Sequence, residues 1–137
     1  MKVKDIMTTS VEAIRPDFTL RQAARKMGEL KVGSLLITEE DKILGIITDR
    51  DVACFAVAMG HDANSTPVQK VMTKEVTTCL AEQGIDEAAK LMESKALRRL
   101  VVMNGDNSMA GFLSVDDLAR HSKELAGEVL KAAIPAH

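Results

Sequence analysis

The chain has 137 residues, 46% hydrophobic and 28% charged, with a net charge of −2 at pH 7. That composition suits a folded globular chain rather than a disordered one, and without a basic excess nucleic-acid binding is not expected. The longest unbroken apolar run, Val52 to Met59, falls far short of the roughly 20 residues a membrane-spanning helix needs.

Taken in chain order, Val11 to Ile14 reads as a short extended segment stopped by Pro16. Thr19-Leu20-Arg21-Gln22 matches a capping box, with the Thr19 hydroxyl on a backbone N–H and Gln22 reaching back. Leu20, Ala23, Ala24, Met27 and Leu30 then recur at helical spacing and predict one apolar face. Ser34 to Thr38 predicts a buried strand, Glu39-Glu40-Asp41-Lys42 a hairpin turn, and Ile43 to Ile47 a second strand interrupted by Gly45. Thr48-Asp49-Arg50-Asp51 opens another helix, and Gly60 to Pro67 is a linker rich in turn formers. The same order follows from Val76 to Cys79, through a helix at Ile85 to Lys95 and strands at Arg99 to Met103 and Met109 to Leu113, to a helix from Ser114.

The chain is therefore a repeat. Ile6-Met7-Thr8 recurs as Val71-Met72-Thr73, an offset of 65 residues that also brings Val11 onto Val76, Met27 onto Met92 and Leu35 onto Leu100. After one inserted residue the offset is 66, and Gly45, Thr48, Asp51 and Ala53 meet Gly111, Ser114, Asp117 and Ala119. The copies cover residues 3–59 and 68–125, followed by a helical tail at 126–137. A unit of about 55 residues is marginal alone, so two pseudo-symmetric βαββα units packed through their sheets are expected, in an α/β fold.

The most similar strings are Gly45-Ile46-Ile47-Thr48-Asp49-Arg50-Asp51 and Gly111-Phe112-Leu113-Ser114-Val115-Asp116-Asp117. Thr/Ser-x-x-Asp at a helix start is an ordinary N-cap with an acid in the first turn. It is equally a ligand motif. Free N–H groups and a hydroxyl at a helix N-terminus suit phosphate, whereas a carboxylate, which only accepts hydrogen bonds, suits the two donors of a ribose diol. The preceding glycine permits a close backbone approach, and the string occurs twice.

The duplicated unit, the Met-Thr near each start and the paired Gly-x-x-Thr/Ser-x-x-Asp resemble the cystathionine-beta-synthase (CBS) domain family, over about residues 3–125. The resemblance implies a tandem pair, or Bateman module, that binds AMP, ADP, ATP, S-adenosylmethionine or a related adenosyl compound as a regulatory ligand. No cofactor is required. On the same resemblance, Thr48 and Ser114 meet phosphate, Asp51 and Asp117 hold ribose, and the segments around Val11 and Val76 bracket the adenine. Arg98 and Arg99, which begin a strand where the first copy has Gly33 and Ser34, face the phosphates of the ligand held by Thr48 and Asp51, or else are a solvated strand end. The resemblance also implies a homodimer, signalling to an effector protein that the chain does not itself supply. The alternative is the same fold used as a ligand-free dimerisation scaffold.

The apolar helix Val52 to Met59 is expected to be a dimer contact, lengthened by Leu118, Leu125, Val129 and Leu130, with Pro135-Ala136-His137 frayed. His61, His121 and His137 have no metal-ligand spacing. Cys54 and Cys79 lack CxxC spacing and read as small core residues, and Met27 and Met92 as core fillers. No GxGxxG or GxxxxGK[ST] is present, so nucleotide hydrolysis is not expected, and the chain is read as a regulatory module rather than an enzyme. The free cysteines and a first segment that reaches Asp5 before any apolar stretch fit a cytoplasmic protein rather than a secreted one. With no Trp or Tyr, any base must rest on aliphatic side chains and backbone.

Overall fold

A computed structural model describes residues 1–9, 11–40 and 42–133. The expectations for Asp41 in the hairpin turn and for Pro135, Ala136 and His137 at the end lie outside the described residues. The chain is mixed α/β, with two three-stranded sheets, and it divides into two compact units. One comprises Glu12–Val76, and the other joins Met1–Val11 to the chain from Thr77 onward.

In the unit Glu12–Val76, β1 (Ala13–Ile14) pairs parallel to β2 (Ser34–Glu39), which turns back antiparallel into β3 (Lys42–Thr48). Glu40 makes the hairpin turn with φ 50°. Helix α1 (Leu20–Leu30) lies between β1 and β2 in the chain. Its start is the predicted capping box: Thr19 Oγ1 accepts from Gln22 N–H at 3.2 Å, and Gln22 Oε1 accepts from Thr19 N–H at 2.9 Å. The linker completes that cap, because Leu20 and Arg21 donate their first-turn N–H groups to the Thr66 and Ala63 carbonyls, both at 3.0 Å. The buried stripe is narrower than the spacing predicts. Leu20, Ala23 and Met27 join Ile14, Leu35, Ile37 and Ile47 in the core, while Ala24 and Leu30 are exposed.

The other unit repeats the plan. β4 (Thr78–Leu80) pairs parallel to β5 (Arg99–Met103), which pairs antiparallel with β6 (Met109–Ser114), and α2 (Ile85–Lys95) connects β4 to β5. Both α1 and α2 stop at a left-handed residue, Lys31 (φ 57°) and Ala96 (φ 54°). The next N–H returns to the Met27 and Met92 carbonyls at 3.0 and 2.9 Å, closing the helix end in the usual left-handed manner. Helix α3 (Val115–His121) follows β6, and α4 (Lys123–Ala132) follows α3. Ala126 and Val129 of α4 are buried with Leu118, Met92, Leu100 and Leu113. The tail therefore builds the core of its own unit, and of the apolar residues expected to extend an interface only Leu130 is strongly exposed.

The units do not coincide with the sequence copies, because each takes its opening turn from the other copy. The 3-10 turn Val3–Asp5 joins the second copy, where Val3 and Lys4 donate to the Gln83 and Ala81 carbonyls at 2.8 and 3.0 Å. The turn Val68–Lys70 joins the first copy, where Val68 and Gln69 donate to the Phe18 and Pro16 carbonyls at 2.8 and 3.3 Å. Val3 and Val68, equivalent in the repeat, are both fully buried. Among the described residues no helix is long and apolar enough to cross a membrane.

Candidate functional site

The motif glycines have a clear structural use. Beside each runs the Met-Thr segment that opens the other sequence copy. Ile46 and Thr73 exchange backbone hydrogen bonds at 3.0 and 2.9 Å, and Thr8 and Phe112 do so at 2.8 and 2.9 Å. A Cβ on Gly45 would stand 2.6 Å from the Thr73 carbonyl oxygen, and one on Gly111 would collide with the Thr8 carbonyl. The close approach that glycine permits is thus made by the chain's own backbone, and the repeated Met-Thr and the repeated Gly are two sides of one contact.

Past the glycine, both copies form the same reciprocal cap. Asp51 N–H donates to Thr48 Oγ1 at 3.1 Å, and Asp51 Oδ2 accepts from Thr48 N–H at 3.0 Å. Asp117 N–H donates to Ser114 Oγ at 3.1 Å, and Asp117 Oδ2 accepts from Ser114 N–H at 3.0 Å. Helix-capping is therefore real in both copies. It leaves each hydroxyl proton without an acceptor among the described residues, so Thr48 and Ser114 can still donate to a ligand.

The carboxylates differ beyond the cap. Asp117, 2% exposed, also accepts from the Thr8 hydroxyl at 3.1 Å (Oδ1) and 3.3 Å (Oδ2). Arg120 Nη1 donates to its Oδ1 at 2.8 Å. Asp51 is 6% exposed, and among the described residues no donor reaches its Oδ1. Among the described residues Thr73, the counterpart of Thr8, makes only its backbone pair with Ile46, and Cys54 stands where the second copy has Arg120. Sequence reading missed Thr8 and Arg120. Arg120 had a signal, since i, i+3 acid–base spacing on a helix brings such side chains together; Thr8 had none beyond its place in the repeat.

Arg98 and Arg99 lie beside Ser114. Arg99 is its ladder partner, and the Arg98 carbonyl accepts from Val115 N–H at 2.9 Å. Neither guanidinium meets a carboxylate among the described residues. Gly33 and Ser34 hold the same positions beside Asp49 and Thr48 in the other unit. Val11 and Val76 are half-buried and stand just before β1 and β4, each next to a carbonyl, Glu12 or Thr77, that accepts from the neighbouring strand. Two shallow surface hollows, of about 280 and 310 Å³, touch none of these residues.

The helix after Thr48 departs from expectation. Asp51–Val57 is a π-helix, with Ala58 and His61 donating to the Ala53 and Ala56 carbonyls at 3.1 and 3.0 Å. Only Asp51 and Ala56 are buried in it. Cys54 is exposed rather than a core residue, because the wider helix turns Ala56 inward and leaves its neighbours outside. Cys79 is in the core as expected, and burial pushes its thiol up to about 11. Met27 and Met92 are buried as expected. Among the described residues no group of three or more His, Cys, Asp or Glu could hold a metal ion.

Residues 3–57 and 68–124 each match the sequence profile of the CBS domain. The CBS domain-containing protein YhcV of Bacillus subtilis is 35% identical over 130 residues, which span 93% of this chain and 91% of that protein. A conserved CBS-domain protein of unknown function from Thermoplasma acidophilum superposes with a TM-score of 0.86 at 19% identity, over 96% of this chain and 75% of the other; this is a likeness of fold. The hexameric CBS-CP12 protein of bloom-forming cyanobacteria superposes with a TM-score of 0.80 at 29% identity, over 90% and 68% of the two chains.

Proposed function

The chain belongs to the CBS-domain family as a tandem pair, and from that premise we propose that it is a cytoplasmic sensor that binds an adenosyl ligand and transmits the binding to a partner protein. Tandem CBS domains are regulatory modules and typically non-catalytic. The observation that carries the ligand reading is Asp51. Its carboxylate is almost fully buried, accepts one cap hydrogen bond, and presents a second oxygen that no described donor reaches. Among the described residues no buried side-chain oxygen lacks a hydrogen-bond partner, so this second oxygen is open to solvent, where a carboxylate can accept from the two donors of a ribose diol. Thr48, with its hydroxyl proton unused, donates to phosphate. Val76, in the same unit as Asp51, is the aliphatic wall offered to the base.

The protein acts as a homodimer. The support is the exposed apolar run on and just after the π-helix, where Phe55, Val57 and Met59 are 56%, 68% and 71% exposed. A patch of that kind marks an association surface, and the CBS-CP12 relative is hexameric. Sedimentation of the wild type against Phe55→Ser/Val57→Ser tests this: the double variant shifts to monomer.

Calorimetric titration with AMP, ADP, ATP, NADH and S-adenosylmethionine tests the sensor reading. Binding of at least one, weakened at least about tenfold by Asp51→Ala, supports it. No heat with any of them, from folded protein cleared of carried-over nucleotide, leaves both motifs as helix caps and makes the scaffold reading the better one.

A further inference from the structure

We propose that the two motif copies have separate duties: Asp51 is the ligand acceptor, whereas Asp117 is a structural latch that holds the N-terminal segment, so each chain takes up one adenosyl ligand. The single-site assignment rests on the nucleotide reading of the motif; the latch does not.

The geometry separates the two carboxylates. A carboxylate offers about four lone-pair positions. At Asp117 they are met by Ser114 N–H, by the Thr8 hydroxyl bridging both oxygens, and by Arg120. A diol could enter only by displacing Thr8 or Arg120. Thr8 cannot withdraw freely, because its own N–H and C=O are both engaged with Phe112, over Gly111. Asp117 is also shut in, with 2% of its surface exposed. Of these contacts the Thr8 hydroxyl is the one that fastens Met1–Val11 onto its unit, at a point 109 residues away in the chain. At Asp51 the equivalent positions are Thr73, which does not reach the carboxylate, and Cys54, which cannot act as a charged donor. The change from α-helix to π-helix at Asp51 accompanies this opening.

Calorimetry with AMP and ATP on wild type, Asp51→Asn, Asp117→Asn, Thr8→Val and Arg120→Ala reads the site. One site per chain is expected, weakened at least about tenfold in Asp51→Asn and within about twofold of wild type in the other three. Two sites in the wild type, or binding that survives Asp51→Asn and disappears in Asp117→Asn, overturns the assignment. No heat with either nucleotide overturns it together with the nucleotide reading. The latch is read without ligand. Thr8→Val and Asp117→Asn each lower Tm by about 4–8 °C, and the double variant falls by clearly less than the sum; an additive double variant overturns the latch. Should Asp117→Asn fail to fold, the Thr8→Val and Arg120→Ala pair replaces it in the same cycle, with the same non-additive outcome required.

Discussion

The helices that leave the two motifs begin alike and then have opposite surroundings. After Ser114, α3 is a regular α-helix whose Leu118 is fully buried beside Ala126 and Val129 of α4. After Thr48, the π-helix Asp51–Val57 buries only Asp51 and Ala56 and leaves Phe55 and Val57 in solvent, with Met59 just beyond it also exposed. A shared start motif fixes the cap, through contacts three residues apart. It does not fix what covers the helix, because the cover comes from other parts of the chain. The second copy continues into α4; the first continues into the linker that returns to cap α1.

The sharpest test of this contrast is truncation of one apolar residue on each helix. Leu118→Ala should cost about 3–4 kcal/mol, the transfer term plus the cavity left behind. Val57→Ala should change monomer stability by less than about 0.5 kcal/mol. Urea denaturation of both variants measures the difference, and equal losses would mean that the exposed helix is part of the folded core after all. The motif glycines probe where the copies are alike. Gly45→Ala and Gly111→Ala should each cost about 2–3 kcal/mol, because the new methyl meets backbone, which cannot turn aside. A loss in only one copy would break the equivalence of the two Met-Thr contacts.

The carboxylates come next in size. Asp117→Ala loses the cap together with the Thr8 and Arg120 hydrogen bonds and should cost about 2 kcal/mol. Asp51→Ala loses only the cap and should cost about 1 kcal/mol without ligand. The reverse order would mean that Thr8 and Arg120 contribute nothing to holding Asp117.

The smallest effect concerns the opening turns. Lys2 and Lys4 reach Glu82 at 2.6 and 2.9 Å, and their hydrogen bonds hold the Glu82 carboxyl down at about 2, from an ordinary 4.5. The same contact raises Lys4. Because the folded form binds the Glu82 proton less readily, the stabilisation is present above about pH 4.5 and disappears as pH falls towards 2. The Tm difference between wild type and Glu82→Gln should therefore be small at pH 7 and vanish across that window. A difference that persists at pH 2 would locate the effect elsewhere. The matching turn at Val68–Lys70 lies beside Asp17, which pairs instead with Arg15.

Much of this was legible in the sequence. The Thr19 box, the limits of α2 and β5 and the hairpin at Glu39–Lys42 were readable because their signals act within a few residues. The motif residues were legible as caps on the same grounds. Other features were not. Cys54 sits in an apolar run and reads as core, yet the π-helix turns it outward. Leu118 and Val129 resemble an interface stripe, yet α4 folds them into their own unit.

By itself, then, the sequence determined the repeat, the order and kind of elements, and the reciprocal caps at Thr48 and Ser114, all set by periodicity and short-range hydrogen bonding. Only the tertiary structure decided which unit each opening turn joins, why Gly45 and Gly111 must lack a side chain, and which of two like motifs keeps a carboxylate oxygen open to solvent. The reason is distance along the chain. Thr8 meets Asp117 across 109 residues, and a contact of that span leaves no periodic trace in the residues that make it.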